Sequence, residues 1–178
     1  HLWDSMSKDN INAVVKVVPH AFDMSKYNKK YTGMNNPTTD DTFKFYYIGD
    51  LNQRKNIETI LRCFHSEFDI SEPVSLILKV NKFGHSPEQV HQVLNGISEE
   101  IKSDLRMYDD IRMYRPEAIL ASRIPEEDLY ALHQYCDCFV CPSHGEAWSI
   151  PSFDAMAFGN TPICSDFGGP RDFIEKDN

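Results

Sequence analysis

Long apolar runs are missing from this 178-residue chain, so no stretch reads as a membrane-spanning helix, which needs about 20 such residues. No signal peptide is visible either. Basic residues are scarce: 18 Lys and Arg stand against 27 Asp and Glu, a formal net charge of −9. That balance disfavours nucleic acid and anionic lipid surfaces as partners. Cysteine occurs five times, an odd number, and mainly in apolar strand-like contexts. Reduced thiols in a cytoplasmic protein are therefore expected, in place of a disulfide framework. Internal repeats and low-complexity segments are also lacking. What remains is ordinary globular usage, 41% apolar and 12% aromatic, enough for the core of one domain.

The apolar pattern alternates between strand and helix periods. Phe43–Ile48 reads as a strand ending at Gly49, and Ile57, Ile60, Leu61 and Phe64 mark an amphipathic helix. Val74–Val80 is a second strand. Val90, Leu94, Ile97, Ile101 and Leu105 mark a long helix with Gly96 as a weak point. Ile111–Tyr114 and Ile119–Ala121 are short strand candidates. Glu126–Tyr135 (helix), Cys138–Cys141 (strand), Ser152–Phe158 (helix) and Thr161–Cys164 (strand) complete the series. Lys29–Asp41 reads as a loop or linker. Such alternation predicts an α/β fold, a Rossmann-like, mainly parallel sheet with helices on both faces, with ligands gathering at the carboxyl ends of its strands.

The most informative stretch runs from Phe139 to Asn160. An apolar strand enters a Gly145-Glu146 turn, and Pro151 suits the first position of a helix carrying a second acid, Asp154, with seven residues between the two. Helix-start amides favour a phosphate. Carboxylates accept hydrogen bonds from hydroxyls such as a ribose diol or a sugar. A helix acid near its dipole and a solvated loop acid would give the same spacing.

A second cluster follows the first strand: Gly49-Asp50-Leu51-Asn52-Gln53-Arg54-Lys55-Asn56. Arg54 and Lys55 stand at a helix start, where a cation is electrostatically unfavourable, and together could clamp a diphosphate. The spacing Cys136-x-Cys138-x2-Cys141-x2-His144 has soft ligands at short range. On a strand, however, those thiols stand in a row and act as small apolar residues, so no metal site is assigned.

The stretch resembles the E-x7-E signature of group 1, glycogen-synthase-like retaining glycosyltransferases, which have the GT-B fold. Pro142-Ser143, Glu146, Trp148, Ile150-Pro151, Asp154-Ala155-Met156-Ala157, Gly159, Thr161-Pro162-Ile163 and Gly168-Gly169 carry the match. Ala147 and Ser149 stand where the family has Gly, and Asp154 where it has a second Glu, one methylene longer. The segment around Arg54 and Lys55 is similar to the family's phosphate-binding R-K-N segment, with Asp50 in place of the Arg that often follows Gly49.

The resemblance implies one half of a GT-B fold: residues 1–41 as the tail of an N-terminal domain plus linker, and 42–178 as a C-terminal donor-binding domain that stops before the family's closing strand and helices. His20, in a segment similar to V-P-x-G-V-D, would serve as hinge. It further implies transfer of a sugar from a nucleotide-diphosphate donor to an acceptor glycan or lipid-linked glycan held by the missing domain, with no metal or other cofactor. Lys55 and Arg54 would stabilise the leaving diphosphate, Glu146 would hold the sugar and Asp154 the ribose. Gly49, Ala147, Trp148, Ser149 and Ile150 would line the donor, and Arg123 and Ile124 would contact its base. A module that binds sugar nucleotides without turnover is the alternative.

Overall fold

A computed structural model describes residue 16 and residues 18–35, 37–38 and 41–175. Most of the expected N-terminal tail, residues 1–15, lies outside the described residues, as do Val17 of the hinge segment and the last three residues of the chain.

Five strands form one sheet: β1 (Phe43–Asp50), β2 (Val74–Asn81), β3 (Glu117–Leu120), β4 (Cys138–Cys141) and β5 (Thr161–Cys164). All pairs are parallel and the order is β3-β2-β1-β4-β5. The chain builds outward from β1 through β2 to β3, then returns to β1's other side to lay down β4. The direction of winding therefore reverses between β1 and β4, and their carboxyl ends open side by side. In open parallel sheets this is where ligands bind.

Successive side chains of β1 divide the core. Tyr47 points to the face covered by α2 (Ile57–Glu67) and α3 (Pro87–Leu105), packing with Leu61, Leu78, Val80 and Leu94. Tyr46 points to the face covered by α4 (Glu126–Tyr135) and α5 (Ile150–Ala157), with Ile77, Leu132, Phe139 and Ala155. α3 starts at Ser86, whose hydroxyl and the Gln89 side chain cap each other's backbone amides, and Pro87 fits its first turn. Gly96 does not break α3; a side chain there would meet nothing within 4 Å.

Two buried polar groups tie layers together. Tyr46 Oη lies 2.6 Å from His133 Nδ1 and accepts from Asn160 Nδ2 at 2.8 Å, joining β1, α4 and the turn after α5. Glu117 on β3 accepts from Lys102 Nζ at 2.9 Å, and His65 Nε2 lies 3.4 Å away. Burial alone would raise the Glu117 carboxyl, but hydrogen bonds from His65, Ser98 and Lys102 outweigh it and hold it down at about 2.

The expected strand Ile111–Tyr114 is instead a 3-10 turn, Ile111–Met113. The Asp110 carboxylate accepts from the Arg112 amide at 2.9 Å and from its guanidinium, which curls the chain, and Tyr114 makes only an isolated bridge to Asp69. β3 begins earlier than expected, at Glu117, and α5 starts two residues before Ser152. A single-turn helix, α1 (Met24–Tyr27), was not signalled by apolar periodicity; Asp23 caps it through the Ser25 amide. The described part of 29–41 has no regular secondary structure but is anchored. Tyr31's amide donates to Gln134 Oε1, and Tyr135 Oη donates to the Thr38 carbonyl.

Candidate functional site

At the switch between β1 and β4, the loop after β4 folds onto the turn after β1. The His144 amide donates to the Arg54 carbonyl at 2.8 Å, and Asn56 Nδ2 donates to the Pro142 carbonyl at 3.1 Å. Asn52 caps the 3-10 turn Gln53–Lys55 through the Lys55 amide, and Asn56 takes the left-handed conformation that starts α2. These contacts fix the backbones that carry Glu146, Arg54 and Lys55.

Glu146 Oε1 is the hub. It accepts from Lys55 Nζ at 2.6 Å, from Ser143 Oγ at 2.7 Å and from Arg54 Nη1 at 2.9 Å. The Lys55 and Glu146 side chains are each 11% exposed, while Arg54 is half in solvent and also reaches the Gly145 carbonyl. Burial pushes the Glu146 carboxyl up; the bonds from Lys55 and Ser143 and the charges of Lys55 and Arg54 outweigh it and leave it below the usual carboxylate range. Two cations thus converge on one carboxylate at the sheet's carboxyl edge. An incoming polyanion could share both, and the second oxygen of Glu146 could accept from a hydroxyl.

Asp154 stands on a different footing. It is buried on α5, and its Oδ1 accepts from Tyr27 Oη at 2.6 Å and from Lys26 Nζ at 3.2 Å. Both partners belong to α1, 127 and 128 residues away in sequence. Burial, then the hydrogen bond to Asp154, pushes the Tyr27 phenol up to about 12. The two signature acids therefore do not share partners: one is held within the sheet edge, the other by the segment preceding the sheet.

Between them, the backbone turns at Ser149 with φ 69°, a left-handed conformation at a position expected from the resemblance to be Gly. Its buried hydroxyl is 2.6 Å from Ser152 Oγ. Ser152 and Phe153 already donate their amides to the Ser149 carbonyl at 3.1 Å, and Pro151 has no amide, so the start of α5 offers fewer donors than the sequence suggested. Trp148 packs with His20, Phe153 and Phe173, and its buried Nε1 has no hydrogen-bond partner among the described residues. Ala147 and Ile150 are exposed at the loop's rim.

The expected Gly168-Gly169 loop approaches the chain's own backbone. Gly169 donates to the Glu146 carbonyl at 2.9 Å, and a Cβ on Gly168 would come within 2.7 Å of the same oxygen. Gly49 has a similar task, since a side chain there would collide with the Tyr47 phenol. Gly49, Arg123 and Ile124 do come together. With Lys79 and Asn81 they line a cavity of about 780 Å³ at the carboxyl ends of β1, β2 and β3, of the size that holds small ligands.

Sequence reasoning did not single out Ser143 as a donor, nor Lys26, Tyr27 or Lys79. Ser143 stood inside the quoted signature; the α1 pair carries no local signal at all.

A family description for glycosyl transferases group 1 matches residues 34–178. The Escherichia coli serotype-specific mannosyltransferase WbdA is 28% identical over 115 residues, 63% of this chain but only 12% of that protein. The chain thus spans about an eighth of that curated relative. Among solved structures, the C-terminal domain of the group 1 glycosyltransferase LpcC from Francisella tularensis superposes with TM-score 0.61 at 13% identity, covering 88% of this chain and 76% of that one. A UDP-forming trehalose-phosphate synthase from Burkholderia xenovorans gives 0.58 at 14% identity, covering 75% and 31%. These likenesses match the Rossmann-like sheet, and among the described residues no helix is long and apolar enough to cross a membrane. With the family's match running through both loops that meet at Glu146, the chain belongs to the group 1 glycosyl transferases.

Proposed function

We propose that this chain is the donor-binding part of a retaining glycosyltransferase, which moves a sugar from a nucleotide diphosphate to an acceptor hydroxyl. The observation that carries the reading is the convergence of Lys55, Arg54 and Ser143 on one oxygen of Glu146. In the reaction the bond between the sugar's anomeric carbon and the diphosphate breaks with its electron pair leaving on the phosphate. Lys55, compact and buried, and Arg54, planar and exposed, would stabilise that growing charge electrostatically without a metal. The acceptor oxygen bonds to the same carbon on the same face, and its proton leaves with the phosphate. Glu146 would orient sugar hydroxyls while keeping both cations in position.

Asp154, Ala147, Trp148, Ser149 and Ile150 belong to the proposed donor surface on the strength of the family signature. The acceptor, a glycan or lipid-linked glycan, would be held by a domain outside this chain, so the 178 residues would bind donor and transfer nothing. The protein would act in the cytoplasm. A second reading, a sugar-nucleotide-binding module without turnover, is favoured by one observation: Asp154 is already engaged by Lys26 and Tyr27 and would have to exchange them for a ribose. Titration calorimetry with UDP-, GDP- and ADP-sugars tests the donor site. Submillimolar binding of one donor supports it; binding of none removes it. Turnover by a longer form containing both domains separates enzyme from module.

A further inference from the structure

The floor of the 780 Å³ cavity contains a cation that the proposed chemistry does not use. Lys79 lies on β2, two residues after Ile77, on the face covered by α4 and α5. Its register neighbours are Ile48 on β1 and Leu120 on β3, both apolar. At 2% exposure its side chain is buried, yet it lines the cavity with Asn81 and Arg123. Among the described residues its ammonium makes one hydrogen bond, to Asn81 Oδ1 at 2.9 Å. An ammonium has three donors and no acceptor, so two remain to be used. Burying such a group among aliphatic neighbours is unfavourable unless an acceptor meets it. Burial pushes its pKa down, and the nearby charge of Asp50 opposes that without reversing it.

We propose that Lys79 reads the donor's base, selecting one that presents a carbonyl oxygen where cytosine and adenine present an amine. The inference rests on the donor-site reading above, with Gly49, Arg123 and Ile124 lining the base's side of that site. An exocyclic amine of cytosine or adenine donates hydrogen bonds, as the ammonium does, and the two repel. The carbonyl of uracil, or of a 6-oxopurine, accepts. Asn81 aims the ammonium, and Lys79's buried place on β2, between β1 and β3, leaves it little freedom to turn away from the wrong base.

Two ligand pairs isolate the group in question: UDP with CDP, and inosine diphosphate with ADP. Within each pair a carbonyl and its neighbouring ring N–H are exchanged for an amine and a bare ring nitrogen, and the rest of the ligand is unchanged. Calorimetry on the chain should give UDP over CDP, and inosine diphosphate over ADP, by about tenfold to a hundredfold, the span of a charged hydrogen bond. Lys79→Met keeps the side chain's length and removes a buried charge, so it should fold, as checked by circular dichroism. Both preferences should then shrink below about threefold, with UDP still bound. Lys79→Arg keeps a donor and should retain most of each preference. Equal affinity of the parent for both members of a pair would overturn the proposal. So would equal weakening of all four ligands in Lys79→Met, which would assign the lysine to the shared diphosphate or to folding. If the parent bound none of the four, the donor-site reading itself would fall and this inference with it.

Discussion

Glu146 and Asp154 belong to one signature, and each carboxylate holds a lysine and a hydroxyl, yet the two corners are built differently. Glu146 is held by Lys55, Arg54 and Ser143, all from loops at the carboxyl edge of β1 and β4. Asp154 is held by Lys26 and Tyr27 of α1, before the sheet begins. The first corner is assembled by the sheet's own topology, because the reversal of winding between β1 and β4 brings its loops together. The second depends on a segment that must dock against α5. Spacing in sequence sets where the acids stand; partners set what each can do.

A third acid supplies the scale for a carboxylate with a structural task alone. Glu117 is paired with Lys102 and His65 beneath the other sheet face, away from both corners. Its folded pKa of about 2 lies below the ordinary glutamate value of 4.5, so its stabilisation is complete above pH 4.5 and is lost as the pH falls toward 2. The shift corresponds to about 3 kcal/mol, the largest effect expected here. Urea denaturation across that window should show it, and Glu117→Gln should flatten that part of the profile. An unchanged profile would mean that the pairing is absent in solution.

At the Glu146 corner the expected effect is on ligand. Lys55→Ala should weaken nucleoside-diphosphate binding by about 1.5–3 kcal/mol and nucleoside binding far less. Glu146→Gln should spare the free diphosphate but erase any preference for the sugar-bearing donor. If Lys55→Ala weakens both ligands equally in calorimetry, the corner is a structural ion pair.

At the Asp154 corner the effect should appear first as stability. Asp154→Asn and Tyr27→Phe should each cost about 1–2 kcal/mol, and the double variant less than their sum. Both act on the Tyr27–Asp154 hydrogen bond, while Asp154→Asn also removes the charge that faces Lys26. Additive losses in denaturant titrations would uncouple α1 from α5. A nucleotide-specific loss in Asp154→Asn, absent with a 2′,3′-dideoxy nucleotide, would instead return this acid to the ribose.

Much of this fold was legible because local and long-range signals agree. α4, β4 and β5 begin and end at the residues the pattern marked; for β4 the buried run is bounded by Asp137 and Pro142. Placing both motifs at strand ends put Arg54, Lys55 and Glu146 on the ligand-binding edge of the sheet, but their pairing with one another was not read from the sequence. Three things were out of reach. The Ile111–Tyr114 reading failed because the Asp110 carboxylate captured Arg112 locally, which periodicity does not register. The docking of α1 on Asp154 spans more than 120 residues and has no sequence marker. Lys79 looked like one polar residue in an apolar strand, and only the cavity beside it raises a question of function.

The smallest prediction probes the hinge between the two corners. Ser149 sits at φ 69°, where a side chain costs about 1–2 kcal/mol relative to glycine. Its hydroxyl, bonded to Ser152 Oγ in a buried pocket beside Cys141, returns about 1 kcal/mol. The two terms nearly cancel. Ser149→Gly relieves the backbone while losing the bond, so its stability should change by less than about 1 kcal/mol. Ser149→Ala keeps the strain and loses the bond, so it should be the less stable of the two by about 1 kcal/mol. Thermal melts of the three proteins decide the order. If Ser149→Ala matches the parent, the hydroxyl contributes nothing. If Ser149→Gly falls below Ser149→Ala, the left-handed turn between Glu146 and Asp154 is not the conformation the chain adopts.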